Sequence, residues 1–207
     1  PAYVDKIIFK FILEDETRLA TLTNGESQII DEVPPAKVES MQSNSKFSVL
    51  GAPKVGMARG IHFNIEYAPT DDKLVRMAFL HAINRDEMDK AVFKGVYPLS
   101  YQVLTRGVKF YNSSLESMYP YDPEKSKSLL DQAGWSKINS DGFRTKNGKV
   151  LSLFHATFPG YVAEAPAEVL QAQLKRVGIK FDINVMSGTA MMDGMTSRES
   201  TFNTALV

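Results

Sequence analysis
The chain has 207 residues, of which 43% are hydrophobic and 23% charged, enough for one substantial core or two small ones. Lysine plus arginine and aspartate plus glutamate each number 24, so no overall basic bias points to nucleic acid or an anionic membrane. The absence of cysteine excludes disulfides, thiolate chemistry and cysteine-ligated zinc. No apolar stretch approaches the roughly 20 residues that span a bilayer.

The run "KIIFKFI" (residues 6–12) reads as a strand covered on both faces. "DETRLATLTNG" then predicts a helix with Leu19 and Leu22 on its apolar side and Gly25 as its stop. "SQIIDEV" predicts a second short strand, and "PPAKVESMQSN" a helix opened by proline. "KFSVLGAP" and "GIHFNIE" predict two further strands joined by a glycine-containing link. In "TDDKLVRMAFLHAINRDEMDKAVFKG", Leu74, Val75, Ala78, Phe79, Ala82 and Ile83 recur at helical spacing, and Asn84-Arg85-Asp86 divides the segment into two helices.

Residues 96–121 carry no clean period and read as a long ordered loop, a type of segment that is often functional. "YDPEKSKSLLDQAGW" contains a full set of helix signals: Asp122 as N-cap, Pro123 at the first turn and Gly134 as stop. "DGFRTKNGKVLSLF" predicts a hairpin with Asn147-Gly148 suited to a type I′ turn. Helix "EAPAEVLQAQLKRVG", strand "IKFDINV", helix "GTAMMDGMTSRE" and strand "TFNTALV" complete the chain. This alternation predicts an α/β unit with a mostly parallel sheet flanked by helices. A chain that opens within a few residues of one strand and closes inside another is expected to be a piece of a longer protein.

No catalytic or metal motif emerges. His62, His81 and His155 are far apart and outside any H-E-x-x-H pattern, so no metal site or cofactor is expected. "SNSK" (residues 43–46) matches S-x-x-K but lacks the S-D-N and K-T-G partners that make it an acylation site. Nucleophile-elbow, dinucleotide and P-loop patterns are missing. The residues therefore support a binding module or structural domain rather than an enzyme.

Four stretches, in order, resemble the extracellular solute-binding proteins of family 5, which serve bacterial ABC importers of peptides, nickel and related solutes. "YVDKIIFKFILEDETRLATLTNGE" resembles that family's strand, helix and Gly-Glu turn, with Gln28 in place of its usual Asp. "HFNIEYAPTDDKLVRMAFLHAINRDEM" resembles its Phe-Asn strand followed by D-x-x-V-R-x-A and A-I-[DN]-R. "YDPEKSKSLLDQAGW" resembles D-P-x-K-A-x-x-L-L-x-x-A-G-[WY], and "LQAQLKRVGIKFDI" resembles Q-x-x-L-K-x-x-G-I-x-V.

The resemblance implies residues 1–207 as a single lobe of a type II periplasmic-binding-protein-like fold, excised from a two-lobed, extracytoplasmic protein that closes on its ligand by a hinge. The implied partners are a small-molecule or peptide ligand, ABC permease subunits and the N-terminal lobe of the same protein, with no nucleic acid. The alternative is an enzyme or a sensor or interaction domain built on the same lobe. By resemblance the ligand-facing candidates are His62, two before Asn64, then Asn64 itself and His155, Thr157 and Tyr161 around the "FHATFPGY" turn. Arg198 and Leu206 fall where peptide binders place arginines, and Leu206 departs from that pattern. An imidazole at His62 can hydrogen-bond a carboxylate or peptide group.

Overall fold
The computed structural model describes residues 3–51, 56–196 and 202–206, with Tyr161 described through its backbone only. The chain clusters into two compact units that divide after Gly51.

In the first unit, α1 (Asp15–Thr23) places Asp15 and Glu16 in its first turn, where they complement the helix dipole. Gly25 follows it in the left-handed region, at φ 85°. α2 (Pro35–Gln42) starts on proline, whose missing N–H costs nothing in the first turn. Leu19, Val38 and Met41 are the buried apolar side chains. Arg18 gathers the loops, donating to the carbonyls of Ile12, Asp31 and Glu32 and pairing with Asp15 at 2.7 Å.

Residues 6–12 are irregular and exposed, not a covered strand: Phe9 is 81% and Phe11 96% accessible. A strand needs a neighbour to take its N–H and C=O groups, and among the described residues nothing pairs with this run. "SQIIDEV" also forms no strand. Its chain turns at Glu32, with φ 54°, while Arg18 grips the carbonyls on either side of the Asp31–Glu32 peptide, which leaves Ile29 exposed. The part of "KFSVLGAP" that is described, through Gly51, is likewise irregular.

The second unit contains β1 (Ile61–Phe63) and α3 (Lys73–Ala82), the latter capped by Asp72, whose carboxylate accepts from the Leu74 N–H at 2.8 Å. Asn84 caps α4 (Arg85–Met88), confirming the expected break, and a π-helical turn Asp89–Phe93 follows. The loop beyond it is ordered. Met57 bridges Leu104, the Ala58 N–H donates to the Val103 carbonyl at 2.7 Å, and Arg106 pairs with Glu116 at 3.0 Å. α5 (Pro123–Gln132) has Asp122 as cap, accepting from the Lys125 N–H, and Gly134 at its end with φ 86°.

β2 (Lys137–Ile138), β3 (Arg144–Lys146) and β4 (Lys149–Val150) form a small antiparallel sheet. Asn147 and Gly148, at φ 51° and 76°, supply the two left-handed residues of the turn between β3 and β4. The main sheet comprises β1, β5 (Ser152–Thr157), β6 (Lys180–Val185) and β7 (Thr204–Leu206), with α6 (Tyr161–Lys175) between β5 and β6 and α7 (Gly188–Thr196) between β6 and β7. Its order is β1-β7-β5-β6; β7, β5 and β6 run parallel and β1 antiparallel.

The two crossovers leave in opposite directions, so right-handed connections place α6 and α7 on opposite faces. Each face has its own core. One gathers Phe79, Leu130, Leu153, Leu174, Ile179 and Phe181, with Phe63 edge-on to Phe79 at 5.0 Å. The other gathers Ala156, Met191, Phe202 and Ala205, with Phe154 stacked on Phe202 at 5.9 Å. α7 comes so close that a Cβ on Gly194 would lie 2.4 Å from the Phe202 ring. Full burial of each large apolar side chain contributes about 1.5–3 kcal/mol.

Two polar side chains stitch the layers. Arg144 is buried and donates to the carbonyls of Val177 and Trp135 and to Asp131, joining the small sheet to α5 and to the turn after α6. Asn203 accepts from the Phe154 N–H through Oδ1, donates to the Ala68 carbonyl through Nδ2, and receives the Asn64 N–H on its own carbonyl.

Candidate functional site
In open α/β sheets, ligands settle beyond the carboxyl ends of parallel strands, where successive connections diverge. Here the divergence lies between β5 and its neighbour β7. Thr157 and Leu206 end those strands, Gly160 precedes α6, and β1 arrives from the opposite direction with Ile61 beside Leu206.

His62 is exposed on β1 opposite Ala205. Ile61 and Phe63 pack into the α6-side core, so strand alternation turns His62 to the α7 side, shared with its partner Ala205. On that side Arg59, also exposed, holds its guanidinium carbon 5.8 Å from the centroid of the Phe158 ring. Phe158 is half-buried against the cluster of Ala156 and Ala205. Cation, aromatic ring and imidazole are therefore on one side of the sheet near its carboxyl edge.

The other candidates are distributed differently. His155 is only 1% exposed, stacked on Phe181 at 4.9 Å, with Nδ1 3.0 Å from the Thr204 hydroxyl. Burial pulls its pKa from 6.5 down to about 4, and the hydrogen bond to Thr204 opposes this in part, so the ring is a neutral core element. Asn64 lies at the far end of β1 and serves the following turn. Its backbone N–H goes to Asn203, its carbonyl receives the Thr70 hydroxyl at 2.6 Å, and its side-chain oxygen takes the Glu66 N–H. Thr157 is inaccessible, and its hydroxyl has no hydrogen-bond partner among the described residues. Leu206 is buried on the last rung of β7. Tyr161 opens α6, and Arg198 lies outside the described residues.

The structure thus brings His62, Thr157, Leu206 and the start of α6 to one edge, with His155 beneath it in the core and Asn64 at the opposite end. Arg59 and Phe158 were missed by sequence reasoning. The available signal was Arg59's place three residues ahead of His62, but only the antiparallel course of β1 carries that residue to the edge where Phe158 sits.

Among the described residues no group of three or more histidine, aspartate or glutamate side chains gathers as a metal set, and no helix is long and apolar enough to cross a membrane.

The family described as bacterial extracellular solute-binding proteins, family 5, matches residues 1–205. Among curated proteins, the glutathione-binding protein GsiB of Salmonella typhi is 30% identical over 200 residues, covering 95% of this chain and 36% of that protein. GsiB of Shigella flexneri serotype 5b is 28% identical, with 95% and 37% covered. The chain therefore spans little more than a third of the length of these relatives. Two solved structures share its fold at 24% identity. They are NikA from Brucella suis with Fe(III)-EDTA (TM-score 0.83, covering 95% of this chain and 40% of that one) and the oligopeptide-binding AppA from Bacillus subtilis with a nonapeptide (TM-score 0.81, 95% and 39%). With the mixed, mostly parallel sheet and its helices on both faces, these matches show that the chain belongs to the bacterial extracellular solute-binding proteins of family 5.

Proposed function
We propose that the chain supplies one wall of the ligand cleft in the substrate-binding component of a bacterial ABC importer, and that the solute is a short peptide. The family match across residues 1–205 carries this reading. The GsiB relatives support a peptide-like solute, since glutathione is itself a modified tripeptide. The carboxyl edge of the main sheet, where Arg59 and His62 are exposed and Phe158 is half-buried, suits a ligand recognised by shape and a few directed groups. In this reading residues 1–207 belong to a longer extracytoplasmic protein whose other lobe closes the cleft and which delivers its solute to permease subunits. It performs no chemistry on that solute.

The test is to purify the full-length protein, denature it and identify the released small molecules by mass spectrometry. Recovery of short peptides, with rebinding of the same peptides by calorimetry, is the expected result. Recovery of a sugar or a metal chelate, or turnover of the released solute by the native protein, would overturn it.

A further inference from the structure
The geometry points to Arg59 as the anchor for a carboxylate on the bound solute, with Phe158 fixing the guanidinium and His62 as an adjoining hydrogen-bonding group. This inference rests on the peptide reading above and assigns a role within that cleft.

Placement is the first argument. Neighbouring strands lie about 4.8 Å apart, so the step from β1 across β7 to β5 is about 10 Å. Arg59 precedes β1, and its guanidinium nevertheless lies over Phe158, which follows β5. Its side chain must therefore be laid along the carboxyl edge of the sheet, past the end of β7, rather than pointing away from it. The charge sits at the mouth of the crevice that the strand order creates.

The second argument is what the guanidinium does not touch. Arg18, Arg76, Arg106, Arg144 and Arg176 all direct N–H groups to backbone or carboxylate oxygens. Arg59 makes no hydrogen bond and no ion pair with any described residue, and its guanidinium lies over the Phe158 ring. A guanidinium that lies over a ring and has no oxygen partner among the described residues keeps N–H donors that match a carboxylate in two parallel hydrogen bonds. Cation–π support holds the group in place without neutralising it.

His62 adds a second polar group on the same side of the sheet, at the level of Ala205 and Ala156. The pattern is a charged end-group bound at Arg59, with His62 exposed on the same side of the sheet and Phe158 half-buried beneath the guanidinium.

The experiment uses the full-length protein and two pools of tripeptides, identical except that one has free C-terminal carboxylates and the other C-terminal amides, with binding read by equilibrium dialysis. Arg59→Gln is expected to weaken binding of the free-acid pool by roughly ten- to a hundred-fold, the loss typical of a charge-assisted hydrogen-bonded pair. Its binding of the amide pool should match wild type. Arg59→Lys should recover part of the loss, and His62→Asn should cost roughly a few-fold. Because Arg59 is exposed, the thermal midpoint of Arg59→Gln should equal wild type. Equal binding of the free-acid pool by Arg59→Gln and wild type would overturn the assignment while leaving the peptide reading intact. Equal weakening toward both pools would also overturn it, because Arg59 would then shape the cleft rather than meet a carboxylate. If wild type bound neither pool, the peptide reading would fall and the assignment with it.

Discussion

The run of residues 6–12 and the strand β5 are both rich in aliphatic and aromatic side chains, but their surroundings are opposite. Phe11 is 96% exposed, whereas Leu153 is wholly buried. β5 has β7 on one side and β6 on the other, so its N–H and C=O groups are taken up and each face packs against a helix-bearing core. Residues 6–12 have no strand neighbour among the described residues, and apolar character alone gives them nowhere to go. An apolar β-rich run specifies a strand only when the chain also supplies its neighbours.

Five measurements would break or sharpen that contrast. Leu153→Ala should cost about 3–5 kcal/mol in urea unfolding, because a fully buried leucine leaves a cavity that a sheet centre cannot close. A loss below about 1 kcal/mol would mean that the α6-side core is loosely packed.

His155 makes β5 sensitive to acid. Its folded pKa of about 4 lies below the ordinary value, so the unfolded chain binds the proton more readily. This contribution is complete above about pH 6.5, falls away as the pH drops toward 4, and amounts to about 3 kcal/mol. Unfolding curves between pH 7 and 4 should show that slope, and His155→Gln should flatten it.

Arg144→Met should cost about 2 kcal/mol, since it strips hydrogen bonds from the buried carbonyls of Val177 and Trp135. Phe11→Ser should change the stability of the 207-residue chain by less than about 0.5 kcal/mol, as expected for an exposed position. The amides of residues 6–12 should exchange with solvent far faster than those of β5. Slow exchange there would show that the run finds a partner in solution.

The helices were the legible part of the fold, because their signals are local. Asp122 caps the helix its position announces, Asn84 makes the expected break, and Asn147-Gly148 makes its turn with backbone angles only such residues adopt readily. The strands of the second unit were legible for the same reason that the expected strands of the first were misread: both were judged by side-chain type, while pairing is decided by distant residues.

The candidate site was legible in part. His62 is exposed on β1 opposite Ala205, and Asn64, two residues on, lies at the other end of the strand in a turn network. His155 occupies a strand as expected, and strand alternation combined with α6 turns its ring into the core. Arg59 could not be found from its neighbours in sequence, because its placement depends on Phe158, which follows a strand not adjacent to β1.

The position of β7 also governs when the second unit can assemble. Among the described residues β1 pairs in the main sheet only with β7, and the Asn203 side chain just ahead of that strand bonds Ala68, 135 residues earlier in the chain. During synthesis, β1 emerges early and must wait, its edge unpaired, while β5 and β6 form a parallel pair that lacks its third member. The late strand then enters between elements already made, closing a long loop and completing both cores in one event. Folding should accordingly be slow for a domain of this size, with amides of β1 and β7 gaining protection together in pulse-labelling experiments.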